Sequence, residues 1–511
     1  MYLRVKRSSR IVEAWTASLL RAFAPRKFVL LVLILSTVVV HAENKSLAPS
    51  AFDMAKRAYE SGSYSRALDL LSQAINSASD SSSRNKAYYY QGLVLFEMGY
   101  YYSSYVSFRN VLLTADDKNR EIYEKSIKNV VVITDRLNMQ DRAGKAISGL
   151  PANFIPSSVG SLTHYSQGIY FMSSGESEKA MSHLKSVNPE SQFYAKSMFY
   201  LGVLATKVKN YKEALFYFDK VADLTRGKRD SFSLGELGRL NLARTLYSAG
   251  DIERSVEVYS QFLSSSPHWL TVLLEASWPL LRMNDTTVSL GNLHTVLSPF
   301  YREDLVGEAY VLRATILFSL CKYEEMRRTL AQFFHFYDPI LRAMQTETNQ
   351  LGSADAYYRA YTTEKGINRA FVNFAKRDPG IINSIKVLDL LREERRNISQ
   401  YGRNDQMKRM MQIIDDTDKS LSLEIGATLQ KLHKSKLAEL LGQREQANYL
   451  KVEIVTGEKD LIEGQKGLPP KRVVDVETSV AAGYHFWPYE GEFWEDELGT
   501  YVYTTESACV N

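Results

Sequence analysis

Two stretches of this chain superimpose at an offset of 34 residues: Gly168, Ala180 and Leu184 in the first fall on Gly202, Ala214 and Phe218 in the second. A period of this length, filled with helix-forming residues, confines the chain to a stack of helix pairs, because one pair alone cannot bury its apolar face. The pattern extends in both directions. Ala55, Gly62, Tyr64, Ala67 and Leu71 return 37 residues later as Gly92, Gly99, Tyr101, Ser104 and Phe108. Between them, Asp80 and Ser81 to Ser83 offer side chains that cap a helix start. Ala243, Gly250, Ile252, Ser255, Tyr259 and Pro267 form another pair. The last clear pair holds Ala314, Tyr323, Leu330 and Phe333 and ends at Asp338-Pro339. Residues 120–150, closed by Pro151, keep a helical pattern but lose the repeat residues. So does the stretch with Trp269, Trp278 and Gly291 to Tyr301.

The residue types have a physical reason. A small residue in the middle of the first helix lets the two helices of a pair approach closely. The aromatic or Leu one turn beyond the second helix's small residue fills the gap against the next pair. Gly62, Gly99, Gly175 and Gly250 end first helices, where a left-handed residue stops a helix. Over residues 48–338 the chain resembles the tetratricopeptide repeat family, and the expected fold is an all-α solenoid of helix pairs. The resemblance implies a concave wall lined by first-helix residues three before and four after the central small residue. On this chain that selects Tyr89 and Phe96 around Gly92, Tyr165 and Met172 around Gly168, Phe199 before Gly202, Tyr247 after Ala243 and Phe318 after Ala314. Such an apolar, aromatic wall suits extended or helical peptide segments. Part of the set is expected to be ordinary core.

Beyond Pro339 the repeat is lost. Residues 339–466 read as a helical region. One helix covers 381–397, with Ile381, Ile385, Leu388 and Leu391 on one face. One or two long helices follow over 404–463, where Leu421, Ile425, Leu429, Leu432, Leu437, Leu440 and Leu441 recur at helical spacing. Gly426, Gly442 and Gly457 suggest an interruption. Two arrangements are open: a hairpin that caps the solenoid, and a self-associating coiled coil. Pro469-Pro470 then break the helix, and residues 467–511 form a tail with eight aromatics between Tyr484 and Tyr503. Aromatics this dense are costly to leave in water. The tail is therefore expected to dock on the helices of residues 381–463. Its contact set for a partner is Trp487, Tyr489, Glu490, Phe493, Trp494, Glu495 and Asp496.

The formal charge of +5 misleads, because residues 1–42 carry seven basic residues against Glu13, a net of +6, which leaves −1 for the rest. A nucleic-acid partner is set aside on that ground. Residues 1–42 read as a removable export signal. Arg26-Lys27 precede the apolar run Phe28 to Val40, and Val40-His41-Ala42 supplies a cleavage site before Glu43. The run is 13 residues, short of the roughly 20 that span a membrane. Any membrane contact is thus expected through partners. Cys321 and Cys509 are the two cysteines of the chain, and they are expected not to pair, since two thiols do not make a disulfide scaffold.

Catalytic motifs are missing: there is no Gly-rich phosphate loop, no His-Glu-x-x-His and no Cys pair with zinc spacing. Ser182-His183-Leu184-Lys185 has the Ser-x-x-Lys spacing of some acyl enzymes, without their companion motifs. Glu490, Glu492, Glu495, Asp496 and Glu497 read as a solvated acidic run, and the eight His as scattered. The chain is expected to be no enzyme, with no catalytic residue, metal or cofactor.

Three stretches resemble a narrower group. They are Gly291-Asn292-Leu293-His294-Thr295 leading to Ser298-Pro299-Phe300-Tyr301, Gln446-Ala447-Asn448-Tyr449-Leu450, and the tail from Trp487 to Gly499. With the export signal, they are similar to periplasmic tetratricopeptide proteins of deltaproteobacterial adventurous gliding motility. The resemblance implies a non-enzymatic periplasmic scaffold, associated with the outer membrane and binding other envelope proteins. The alternative class is a peptidoglycan-associated protein or a regulator of a cell-wall enzyme.

Overall fold

The computed structural model describes residues 50–114, 120–150, 155–227, 232–464, 493–503 and 507–509. The export signal lies outside them, as do Trp487, Tyr489 and Glu490 of the expected tail contact. Among the described residues the chain is all-α, and its first sixteen helices form eight antiparallel pairs. They are α1 (Ala51–Glu60) with α2 (Tyr64–Ser77), α3 (Ser81–Glu97) with α4 (Tyr101–Leu113), α5 (Arg120–Arg136) with α6 (Gln140–Ser148), and α7 (Gly160–Ser173) with α8 (Ser177–Lys185). Then come α9 (Tyr194–Lys207) with α10 (Tyr211–Thr225), α11 (Phe232–Ala249) with α12 (Ile252–Tyr259), α13 (Trp269–Arg282) with α14 (Thr286–Val296), and α15 (Gly307–Ser319) with α16 (Tyr323–Leu351).

One turn geometry joins the helices of all eight pairs. A single left-handed residue ends each first helix: Gly62, Gly99, Asn138, Gly175, Lys209, Gly250, Asn284 and Cys321, with φ between 53° and 88°. The next residue's N–H then returns to a carbonyl five residues back, as from Tyr100 to Leu95 at 2.8 Å and from Lys322 to Leu317 at 2.8 Å. This arrangement satisfies carbonyls that a helix end leaves open. Four glycines made half of these turns visible in the sequence; Asn, Lys and Cys form the same turn less cheaply.

The small residues act as expected. A Cβ on Gly92 would stand 2.7 Å from the Phe108 ring, and one on Gly202 would stand 2.6 Å from the Phe218 ring. Where Ser replaces Ala on the second helix, its hydroxyl donates across the pair to the first helix's small residue. Ser104 bonds the Gly92 carbonyl at 2.7 Å, Ser255 that of Ala243 at 3.0 Å and Ser289 that of Ser277 at 3.0 Å. The repeat thereby tolerates a buried hydroxyl without leaving it unsatisfied.

The C-terminal region departs from expectation. Pro339 does not end the last pair, because α16 continues through it to Leu351. A proline in a helix interior costs about 3 kcal/mol. Burial of Tyr337, Leu341 and Met344 around it offsets that cost, at about 1.5–3 kcal/mol for each large apolar side chain. After α17 (Ala354–Thr363), α18 (Arg369–Ala375) and α19 (Pro379–Ile398), the chain forms one unbroken helix, α20 (Asp405–Gly464), of 60 residues. No hairpin forms within 404–463, and the stripe expected to self-associate is taken up by the chain's own packing. The apolar stripe Leu421, Ile425, Leu429, Leu437 and Leu440 is buried, and α20 packs on α15, α16, α17 and α19.

The glycines of α20 mark close approaches rather than breaks. A Cβ on Gly426 would overlap the Ala354 carbonyl oxygen, and one on Gly457 would stand 2.5 Å from the Tyr323 hydroxyl. Gly442 has nothing within 4 Å of that position. A buried polar triad locks the middle of the rod: His433 lies 3.0 Å from Glu347 of α16 and 3.3 Å from the Tyr357 hydroxyl of α17.

Candidate functional site

Six of the seven wall candidates are half-buried, at matching registers on first helices α3, α7, α9, α11 and α15. Each of the rings rests against a neighbour. Tyr89 stands 5.6 Å from Phe108, and Phe96 is edge-on to Tyr101 at 5.4 Å. Phe199 leans on Phe218 at 5.9 Å, Phe318 on Tyr323 at 6.0 Å, and the Arg282 guanidinium covers Tyr247 at 5.7 Å. Met172 is half-buried against the core. Burial raises the Tyr89 hydroxyl's pKa. Tyr165 does not belong to it: only 1% exposed, it stacks on Phe193 at 4.6 Å. Its ring fills the joint between α7 and the start of α9, which family spacing alone does not reveal.

Besides the packing of α20 on the last pair, the C-terminal region fastens to the solenoid at two places. The first lies at the opening pairs. The Asn404 amide donates to the Leu68 carbonyl at 3.2 Å and to Asp69 at 2.9 Å, and Gln406 donates to Asn76 at 2.8 Å. The Glu394 carboxylate of α19 accepts the backbone N–H groups of Tyr102 at 3.1 Å and Ser103 at 2.6 Å. It thus caps α4 from nearly 300 residues away, where open amides and the helix dipole favour an anion. Glu394 is 6% exposed, and desolvation pushes its carboxyl up to about 7 against the pull of those amides. A cavity of ≈ 240 Å³ opens beside it, between Tyr100 and Tyr101 on one side and Val387 and Leu391 on the other. At its far end α20 meets the last pair through Arg444 on Asp338 at 2.8 Å and Arg327 on Glu458.

The second fastening is the tail, whose described residues dock on α13–α15 rather than on residues 381–463 as expected. Phe493 stacks on the His294 ring at 4.5 Å, and Tyr501 meets it edge-on at 4.7 Å. Arg313 donates to the Tyr503 hydroxyl at 2.7 Å, and that hydroxyl stands 3.2 Å from His294 Nδ1. With the guanidinium as donor, the hydroxyl's own proton is directed to a neutral imidazole. Burial, aided by the Arg313 charge, lowers His294 to about 3. Gly499 fits under Trp269 with φ +86°. Trp494, Glu495 and Asp496 are exposed, the acidic residues in a short turn at Glu495–Glu497.

Cys321 and Cys509 are disulfide-bonded, across a separation of 188 residues. The expectation of no bridge fails because the left-handed turn residue of the last pair and the docked tail bring them together, with Ala508 N–H bonded to the Leu320 carbonyl at 2.8 Å. His164 and His183 also pair, Nδ1 to Nδ1 at 3.1 Å, although the sequence scatters them. Among the described residues no group of three or more His, Cys, Asp or Glu is placed to hold a metal ion, and no helix is long and apolar enough to cross a membrane. The helical spacing over 381–397 marked only its apolar face and missed Glu394. Sequence reasoning singled out Gly291 to Thr295 and the tail separately, and the structure shows that they touch.

No protein-family model and no curated protein matches the chain. Similar solved structures include a tetratricopeptide repeat protein from Parabacteroides merdae, at 14% identity over 49% of this chain and 93% of that one, with a TM-score of 0.32. The apo form of RapI is similar at 14% identity over 51% and 99%, with a TM-score of 0.32. YrrB, described as a TPR protein with an unusual peptide-binding site, is similar at 19% identity over 36% and 90%, with a TM-score of 0.28.

Proposed function

We propose that this protein is a non-enzymatic protein–protein interaction scaffold. The observation that carries the reading is the repeated register of Tyr89, Phe96, Met172, Phe199, Tyr247 and Phe318. Six apolar side chains on five of the eight first helices keep part of their surface open. Rigid aromatic anchors of this kind dominate interface energetics. The test replaces Tyr89, Phe96 and Phe199 together with Ser. Capture of a crosslinked partner from envelope fractions should fall while helicity by circular dichroism holds. A steep loss of melting temperature would make the three side chains core and sink the reading.

We further place the scaffold in the periplasm, in an envelope complex. Arg26-Lys27, the apolar run after them and Ala42 support export. Pairing of the chain's two cysteines supports an oxidising compartment. The narrower reading, service in a gliding-motility machine at the outer membrane, rests on the resemblance of the tail and of Gly291 to Tyr301. N-terminal sequencing of the protein recovered from cells should begin at Glu43. Recovery of an unprocessed cytoplasmic chain refutes the placement.

A further inference from the structure

The tail lies on α14 as an extended peptide lies on a receptor. Gly499 N–H donates to Thr295 Oγ1 at 2.8 Å, the Tyr501 carbonyl presses on Gly291, and Tyr503 N–H donates to the Thr287 carbonyl at 3.3 Å. Two tail residues thus match four helix residues, in opposite directions. The physical repeats agree, because an extended chain advances about 6.6 Å in two residues and a helix about 6 Å in four. Gly291 leaves no room for a Cβ beneath the Tyr501 carbonyl. The rings of Phe493, Tyr501 and Tyr503 converge on His294.

The docking is shallow nonetheless. Among the described tail residues every one is half-buried or exposed, and Trp494 keeps 54% of its surface. α14 has its own packing on α13 and α15, so the face under the tail does not depend on the tail to exist. Beyond these contacts, the Arg313–Tyr503 and Ala508–Leu320 hydrogen bonds and one covalent bond at Cys509 hold the segment in place.

We propose that this face of α14 is a recognition site for an extended peptide of the form Gly-x-Tyr-x-Tyr, that residues 493–503 are its resident occupant, and that the Cys321–Cys509 bridge decides whether a partner's segment displaces them. The proposal rests on the interaction-scaffold reading and names a second site and its control. A dithiol opens the bridge. It gives up two protons and two electrons and becomes a disulfide, and Cys321 and Cys509 take them up and each become thiols.

The probe is a fluorescein-labelled peptide of residues 493–509 with Ser in place of Cys509. Full-length protein is tested as the oxidised wild type and as Cys509→Ser combined with Tyr501→Ala and Tyr503→Ala, which disables its own tail but leaves α14 intact. The oxidised wild type should not bind. The triple variant should bind in the micromolar range, and alanine at both peptide tyrosines should weaken binding by about tenfold or more, the equivalent of ~1.4 kcal/mol. Adding Gly291→Val should abolish binding with helicity unchanged. No binding by a helical triple variant at roughly millimolar peptide, the effective concentration of a tethered segment, overturns the proposal. Equal binding to the oxidised wild type overturns it too. If the triple variant fails to fold, hydrogen exchange on wild type replaces it: amides of 287–295 should exchange faster after dithiothreitol, and unchanged protection refutes release. Failure here leaves the aromatic wall untouched, since Tyr89, Phe96 and Phe199 report on it separately.

Discussion

The two fastenings of the C-terminal region use opposite chemistry. At the opening pairs, a carboxyl is taken out of water and rests on two backbone amides of α4. At α14, an imidazole is taken out of water and surrounded by three tail rings. Burial disfavours charge in both, so Glu394 rises to about 7 and His294 falls to about 3. The lesson is that one physical effect gives the two junctions opposite responses to acid. The folded pKa of Glu394 lies above its unfolded value of 4.5. Its contribution is full below pH 4.5 and is lost as the pH rises towards 7. The folded pKa of His294 lies below its unfolded value of 6.5. Its contribution is full above pH 6.5 and is lost as the pH falls towards 3. Acid should tighten the closure at α4 and loosen the tail.

The largest way to break this comparison is to cut the covalent half of it. Cys509→Ser frees a loop of 188 residues, which loop-closure entropy values at about 5 kcal/mol. Melting of α13–α16 should drop by several degrees, whereas exchange at Tyr102 and Ser103 should not change. Equal loosening at both junctions would mean that they are one cooperative unit. Next in size is the pH response, on the order of 3 kcal/mol at each junction. Hydrogen exchange from pH 4 to 8 should show protection at Tyr102 and Ser103 falling as protection at 287–295 rises. Glu394→Gln should flatten the first trend and leave the second. Parallel trends would refute the opposite pH responses assigned to Glu394 and His294.

Smaller effects separate the rod's contacts from its bare stretches. Gly426→Ala drives a methyl into the Ala354 carbonyl and should cost about 2 kcal/mol. Gly442→Ala meets nothing within 4 Å and should stabilise by just under ~1 kcal/mol through helix propensity. Urea melts of the two variants should shift in opposite senses. The smallest change, Tyr503→Phe, removes the hydroxyl between Arg313 and His294. It should weaken tail docking by about 1 kcal/mol, read as faster exchange at Thr287 to Thr295.

The sequence by itself determined the helix pairs. Gly92 against Phe108 and Gly202 against Phe218 are local contacts between helices close in the chain, so spacing alone exposes them. The same holds for α19, whose apolar face was legible at Ile381, Leu388 and Leu391. Local spacing failed where a distant partner decides the outcome. Pro339 continues a helix because α16 packs on α20, and the glycines of α20 are contact points because Ala354 and Tyr323 arrive there from elsewhere. Tyr165 belongs to the core because Phe193 stacks on it. Glu394 carries meaning only once α4 presents two open amides to it, and His294 only once three tail rings surround it. Cys321 and Cys509 pair only because the tail runs back along α14. Periodicity encodes neighbours within about one repeat; contacts across hundreds of residues leave no period, and only the folded chain brings them together.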